Sequence, residues 1–122
     1  MFDERSPIYR QIADTIRSEV LNGTLRANEQ VMSTNQYAAF YRINPATAAK
    51  AFAELVEEGV LYKQRGRGMF VSPDAREQLR ARHRERFFTD VVDPMVERAR
   101  SLDIPLEQII TRIEHHRDGD RP

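Results

Sequence analysis

The sequence predicts a mostly α-helical chain: three helices and a β-hairpin, then a short helical C-terminal region. The prediction rests on three features. Apolar residues recur at spacings of three and four through most of the chain. Two β-prone runs near the middle flank a loop of alternating arginine and glycine. Ser72-Pro73 then separates that hairpin from a second helical stretch.

The first helix is expected from Ser6 to Leu21, with Ser6 as cap and Pro7 at the first position, where no amide donor is needed. Ile8, Ile12, Ile16 and Val20 form its apolar stripe, and Asn22-Gly23 stops it. Leu25 and Val31 anchor the loop that follows. A short second helix spans Thr34 to Tyr41, with Ser33 and Gln36 spaced as a capping box. After the tight connection Arg42-Ile43-Asn44, Asn44 caps and Pro45 begins a third helix that runs to Glu58, before Gly59. Ala48, Phe52, Leu55 and Val56 are its buried stripe. Val60–Lys63 and Met69–Val71 make the hairpin strands around Gln64-Arg65-Gly66-Arg67-Gly68, whose glycines allow a close turn.

From Asp74 onward the pattern is helical, with Leu79, Phe87, Phe88, Val91, Val92, Met95, Val96, Ala99 and Leu102 at helical spacing. Pro94 either kinks this run or marks a fresh start capped by Asp93. Pro105 opens a last helix with Leu106, Ile109, Ile110 and Ile113 on one face. The expected division is therefore residues 1–72 as a winged unit, 73–117 as a helical region and 118–122 as a disordered tail.

Composition bounds the chemistry. The chain has 122 residues, 40% hydrophobic and 31% charged, with no apolar stretch long enough to span a bilayer. The absence of cysteine excludes disulfides and thiolate metal sites, and with no signal peptide it fits a cytoplasmic location. Nineteen basic and nineteen acidic residues give zero net charge, but they are segregated. Lys63, Arg65 and Arg67 cluster apart from Glu54, Glu57 and Glu58, and phosphate contact needs only one basic face.

Three helices and a hairpin, with the second and third helices tightly joined, make a winged helix-turn-helix. Its third helix enters the DNA major groove by its N-terminal end. There Ala46 permits close approach, Thr47 can donate a hydrogen bond, and Lys50 reaches a base or a phosphate. Arg65, Gly66 and Arg67 form the wing tip, suited to phosphates or a narrow minor groove. The alternative for the same face is a winged module that docks on another protein.

The runs Pro7-Ile8-Tyr9-Arg10-Gln11-Ile12, Ile43-Asn44-Pro45-Ala46-Thr47, Glu58-Gly59 and Arg65-Gly66-Arg67-Gly68-Met69-Phe70-Val71 resemble the DNA-binding domain of GntR-family repressors. The resemblance covers about residues 6–72, and the short helical tail resembles the YtrA subfamily. It implies a bacterial transcription regulator that contacts double-stranded operator DNA through Ser33, Asn35, Asn44, Ala46, Thr47, Lys50, Arg65, Gly66 and Arg67. It also implies a tail that serves to dimerise, matching a palindromic operator. The segment Val31–Ala38 departs from the family pattern. Met32 stands for a proline, and Asn35 for an arginine that contacts DNA. Asparagine reads adenine where arginine prefers guanine, so an altered operator is one consequence and weaker binding the other.

No catalytic constellation, cofactor motif or metal set stands out. His83, His115 and His116 read as surface histidines, because neighbours on a helix point about 100° apart. Arg76, Arg80, Arg82, Arg84 and Arg86 read as a solvated face paired with Glu77 and Glu85. Phe87, Phe88, Val91, Val92, Met95, Ile109, Ile110 and Ile113 have too little tail around them to form a core. They are assigned to a homodimer interface, with a small-molecule effector pocket beside Phe87, Phe88, Val91 and Met95 as the second use.

Overall fold

A computed structural model describes residues 6–119, in two units that meet between Ala81 and Arg82. The first unit holds α1 (Ile8–Leu21), β1 (Gln30–Val31), α2 (Thr34–Tyr41), α3 (Pro45–Glu57), β2 (Leu61–Gln64), β3 (Gly68–Val71) and the start of α4 (Ala75–Phe87). The second holds the end of α4, a π-helical turn at Phe88–Val92, α5 (Asp93–Ser101) and α6 (Leu106–Gly119).

The core of the first unit is one apolar cluster. Ile12, Ile16 and Val20 of α1 meet Tyr37 of α2, Ala48, Phe52 and Leu55 of α3, and Val60, Leu61, Val71, Ala75 and Leu79 beyond them. Ala51 joins the buried face of α3, while Val56, expected inside, is 37% exposed. Ile8 likewise stands outside, at the first position of α1. Pro7 occupies the N-cap position with ψ 143°, and no side chain caps α1 among the described residues, so Ser6 does not act as the expected cap.

The sheet contains one strand more than the expected hairpin. β3 pairs antiparallel with β2 (Tyr62 opposite Phe70) and with β1 (Gln30 opposite Phe70), giving the order β1-β3-β2. A strand of two residues shows no alternation to read, so Val31 anchors its loop by sheet pairing as well as by packing.

The second unit resolves the position of Pro94. Asp93 has helical φ −60° and ψ −47°, so it caps nothing. Its N–H bonds back five residues to the Phe88 carbonyl. A proline ring clashes with the carbonyl four residues earlier in a regular α-helix; widening the turn to the π form removes that conflict without ending the helix. α6 continues through Asp118 and Gly119, past the point where fraying was expected, and residues 120–122 lie outside the described part.

Candidate nucleic-acid interface

The turn between α2 and α3 is fixed by local chemistry. Ser33 Oγ accepts from the Gln36 N–H at 3.1 Å, and Gln36 Oε1 accepts from the Ser33 N–H at 3.0 Å. Asn44 Oδ1 accepts from the Ala46 N–H at 2.8 Å. Between the two caps, Arg42 adopts the left-handed conformation at φ 56°, with its N–H and that of Ile43 both donating to the Ala38 carbonyl. Ser33 and Asn44 are thus committed as acceptors. The Ser33 hydroxyl proton and the Asn44 amide N–H groups keep their capacity to donate.

This turn presents the start of α3. Asn44, Pro45 and Ala46 are exposed, Thr47 is half-buried and Lys50 is exposed. Asn35 is exposed at the second position of α2. The Lys50 ammonium does not extend freely; it stands 4.1 Å from the centroid of the Tyr9 ring on α1.

The wing is a tight loop. The Arg67 N–H closes a turn onto the Gln64 carbonyl at 2.9 Å, and Gly66 at the tip has φ 78°. Gln30 of β1 donates from Nε2 to the Arg67 carbonyl at 2.7 Å. That amide lies where a side chain on Gly68 would be: a Cβ there would stand 2.8 Å from Gln30 Nε2. Glycine at 68 suits its φ of 120°, and a side chain there would have to push the Gln30 amide off the Arg67 carbonyl. Arg67 stacks over Phe70 at 5.6 Å, and Tyr62 donates to Asn28 Oδ1 at 2.9 Å while stacking on Phe70. Among the described residues, Arg65 and Arg67 form no ion pair.

Two acids toward the C-terminal end of α3 are held elsewhere. Arg17 of α1 bonds Asp14 at 2.7 Å and Glu54 at 3.2 Å, and pairs closely with Glu58. Its guanidinium pKa is raised, chiefly by the Glu58 hydrogen bond. Gln30 and Arg17 are the residues that sequence reasoning missed here. Each acts on a partner far along the chain, so no local spacing signals it.

The second unit places its apolar side chains outward. Phe88 is 63% exposed and Ile113 57%; Phe87, Val91, Met95 and Ile110 are exposed too, and Val92 and Ile109 are half-buried. Met95, Ile109 and Ile113, with Ile104, line an open groove of about 1010 Å³, to which Phe87, Phe88 and Val91 do not contribute. His115 and His116 also line it, and no group of three or more metal-ligating residues converges among the described residues. Among the described residues, no helix is long and apolar enough to cross a membrane.

The sequence profile of the bacterial regulatory proteins of the gntR family matches residues 8–71. The chain belongs to the GntR family. Members of this family are non-enzymatic, DNA-binding transcription factors. The GntR chain is 39% identical over 72 residues to the transcriptional repressor NagR of Bacillus subtilis, covering 59% of itself and 30% of NagR. It is 35% identical over 79 residues to the repressor YtrA of the same species, covering 63% of itself and 61% of YtrA. The chain thus spans less than two thirds of these relatives. A GntR-family regulator from Listeria monocytogenes superposes with a TM-score of 0.75 at 30% identity, over 93% of this chain and 98% of that one. The AraR DNA-binding domain bound to operator ORX1 matches 59% of this chain and 93% of its own, with a TM-score of 0.55 at 26% identity.

Proposed function

We propose that this GntR chain represses transcription by occupying a palindromic operator as a homodimer in the bacterial cytoplasm. The N-terminal end of α3 enters the major groove, where Ala46 gives clearance and Thr47 and Asn35 face base edges. Ser33 and Asn44 donate to phosphates beside the groove, and Lys50 adds charge. Arg65, Gly66 and Arg67 follow the adjoining backbone or minor groove. One observation carries this reading: an exposed helix start and a two-arginine tip share one small unit, while Glu54 and Glu58 are tied to Arg17.

The homodimer is supported by the outward apolar side chains of the second unit, where Ala99 is the one buried hydrophobic residue among the described residues. Relief by a small effector is the last part of the reading; the groove at Met95, Ile104, Ile109 and Ile113 offers the space for it.

The test is fluorescence anisotropy with a duplex enriched by the wild-type chain from random-sequence DNA, and with a scrambled control. Salt is varied between about 50 and about 200 mM. Wild type should bind the enriched duplex more tightly and weaken steeply with salt. Arg65→Ala/Arg67→Ala should lose about tenfold in affinity, about 1.4 kcal/mol, and about 2 from the salt slope. A folded chain that enriches no sequence sinks the operator reading and turns attention to protein partners.

A further inference from the structure

Tyr9 lies in the first turn of α1, and its ring gathers two cations. Lys50 Nζ is 4.1 Å from the ring centroid and the Arg10 guanidinium carbon 6.0 Å. About two turns further along α1, Arg17 reaches Glu54 and Glu58. Residue 9 thus meets residue 50, and residue 17 meets 54 and 58. α1 and α3 therefore run in the same direction, and their N-terminal ends lie at the same end of the winged unit.

The same pairings sort the charge. Arg17 draws in Asp14, Glu54 and Glu58, whereas Arg10 and Lys50 form no ion pair among the described residues. A ring face attracts each cation, but two cations beside one ring repel each other, and an anion between them removes that repulsion. An anion at this end also meets the first backbone N–H groups of α1, a helix of 14 residues that no described side chain caps.

We propose that the N-terminal turn of α1 is a third DNA-contacting element, in which Tyr9 holds Lys50 and Arg10 as a seat for one backbone phosphate. The proposal rests on the operator-binding reading above. Lys50 and Arg10 carry the charge; Tyr9 is a positioning residue, offering its ring to Lys50 and its hydroxyl oxygen to Arg10.

Arg10→Gln, Tyr9→Leu and Tyr9→Phe are compared with wild type and with Arg65→Ala/Arg67→Ala, on the enriched and scrambled duplexes, across the same salt range. Arg10→Gln should weaken binding several-fold and equally on both duplexes, and lower the salt slope by about 1. Tyr9→Leu should do the same, and Tyr9→Phe, which keeps the ring under Lys50 but not the hydroxyl beside Arg10, should lose less than Tyr9→Leu. Tyr9 packs against the core, so thermal melting of each variant is recorded. If Tyr9→Leu does not fold, Arg10→Gln decides, since Arg10 is exposed.

A loss confined to the enriched duplex would mean base reading and overturn the phosphate seat. So would a Tyr9→Phe as damaged as Tyr9→Leu, or an Arg10→Gln that binds like wild type. If the wing variant behaves as expected while Arg10→Gln does not, this proposal fails alone. If wild type binds neither duplex, the operator reading fails and takes this one with it.

Discussion

Arg42 has the left-handed φ of 56° at the turn between α2 and α3. An L-residue loses roughly 1–2 kcal/mol in that conformation, whereas glycine adopts it freely and loses more freedom on folding. The net for Arg42→Gly is a gain of about 0.5–1 kcal/mol, read as a higher urea midpoint with an unchanged slope. A fall in stability would mean that the exposed Arg42 side chain makes a contact worth more than the strain. The neighbouring caps were legible in the sequence because Ser33, Gln36, Asn44 and Pro45 act within four residues of themselves. Tyr9 under Lys50 and Arg17 under Glu58 were not, because each partner lies about forty residues away and only the packing of α1 on α3 joins them.

At the scale of elements, Tyr37 of α2 packs edge-on against Phe52 of α3, with ring centroids 5.5 Å apart, and its ring centroid lies 4.5 Å from that of Tyr41 in its own helix. Burial, reinforced by Tyr41 and Glu19, pushes the Tyr37 hydroxyl up to about 12 from its ordinary 10.0. Between those values the unfolded chain releases the proton and the folded chain keeps it. Stability contributed by the neutral hydroxyl is complete below pH 10 and is lost as pH climbs toward 12. Tyr37→Phe removes a hydrogen bond with Tyr41, costing about 1 kcal/mol at neutral pH, but it removes the alkaline loss as well. The stability difference between the two proteins should therefore shrink across that window in urea titrations. A constant difference up to pH 12 would show that Tyr37 ionises as freely when folded as when unfolded. The helices themselves were readable because their apolar periods are long. The π turn was not, since the sequence marks Pro94 as a disturbance but not how the backbone absorbs it.

At the scale of the whole molecule, the two units differ in how they satisfy their apolar residues. The winged unit encloses a cluster centred on Ile12, Phe52 and Leu55. The second unit buries Ala99 but leaves Phe88, Val91, Leu102, Ile110 and Ile113 more than half exposed. Helices of 9 and 14 residues are marginal alone in water, and packing of an apolar face supplies most of their stability. In the proposed homodimer a second copy of the chain would supply that packing, at up to roughly 1.5–3 kcal/mol for each large side chain fully buried. The sequence revealed the apolar positions but not their exposure, because the same spacing serves an internal core and an interface alike.

Ile110→Asp/Ile113→Asp places two carboxylates on the outward face of α6 and tests this directly. Sedimentation equilibrium should give a dimer for wild type and a monomer for the variant. On a duplex with one half-site the two proteins should bind equally, since the winged unit is untouched. On a duplex with two half-sites the variant should bind at least tenfold more weakly, because dimerisation makes the second contact intramolecular and can raise avidity by about 10²–10⁴. Equal loss on both duplexes would mean that the substitutions damage the winged unit. A wild-type chain that sediments as a monomer while still preferring the two-site duplex would place the dimer contact on the DNA and not in the C-terminal helices.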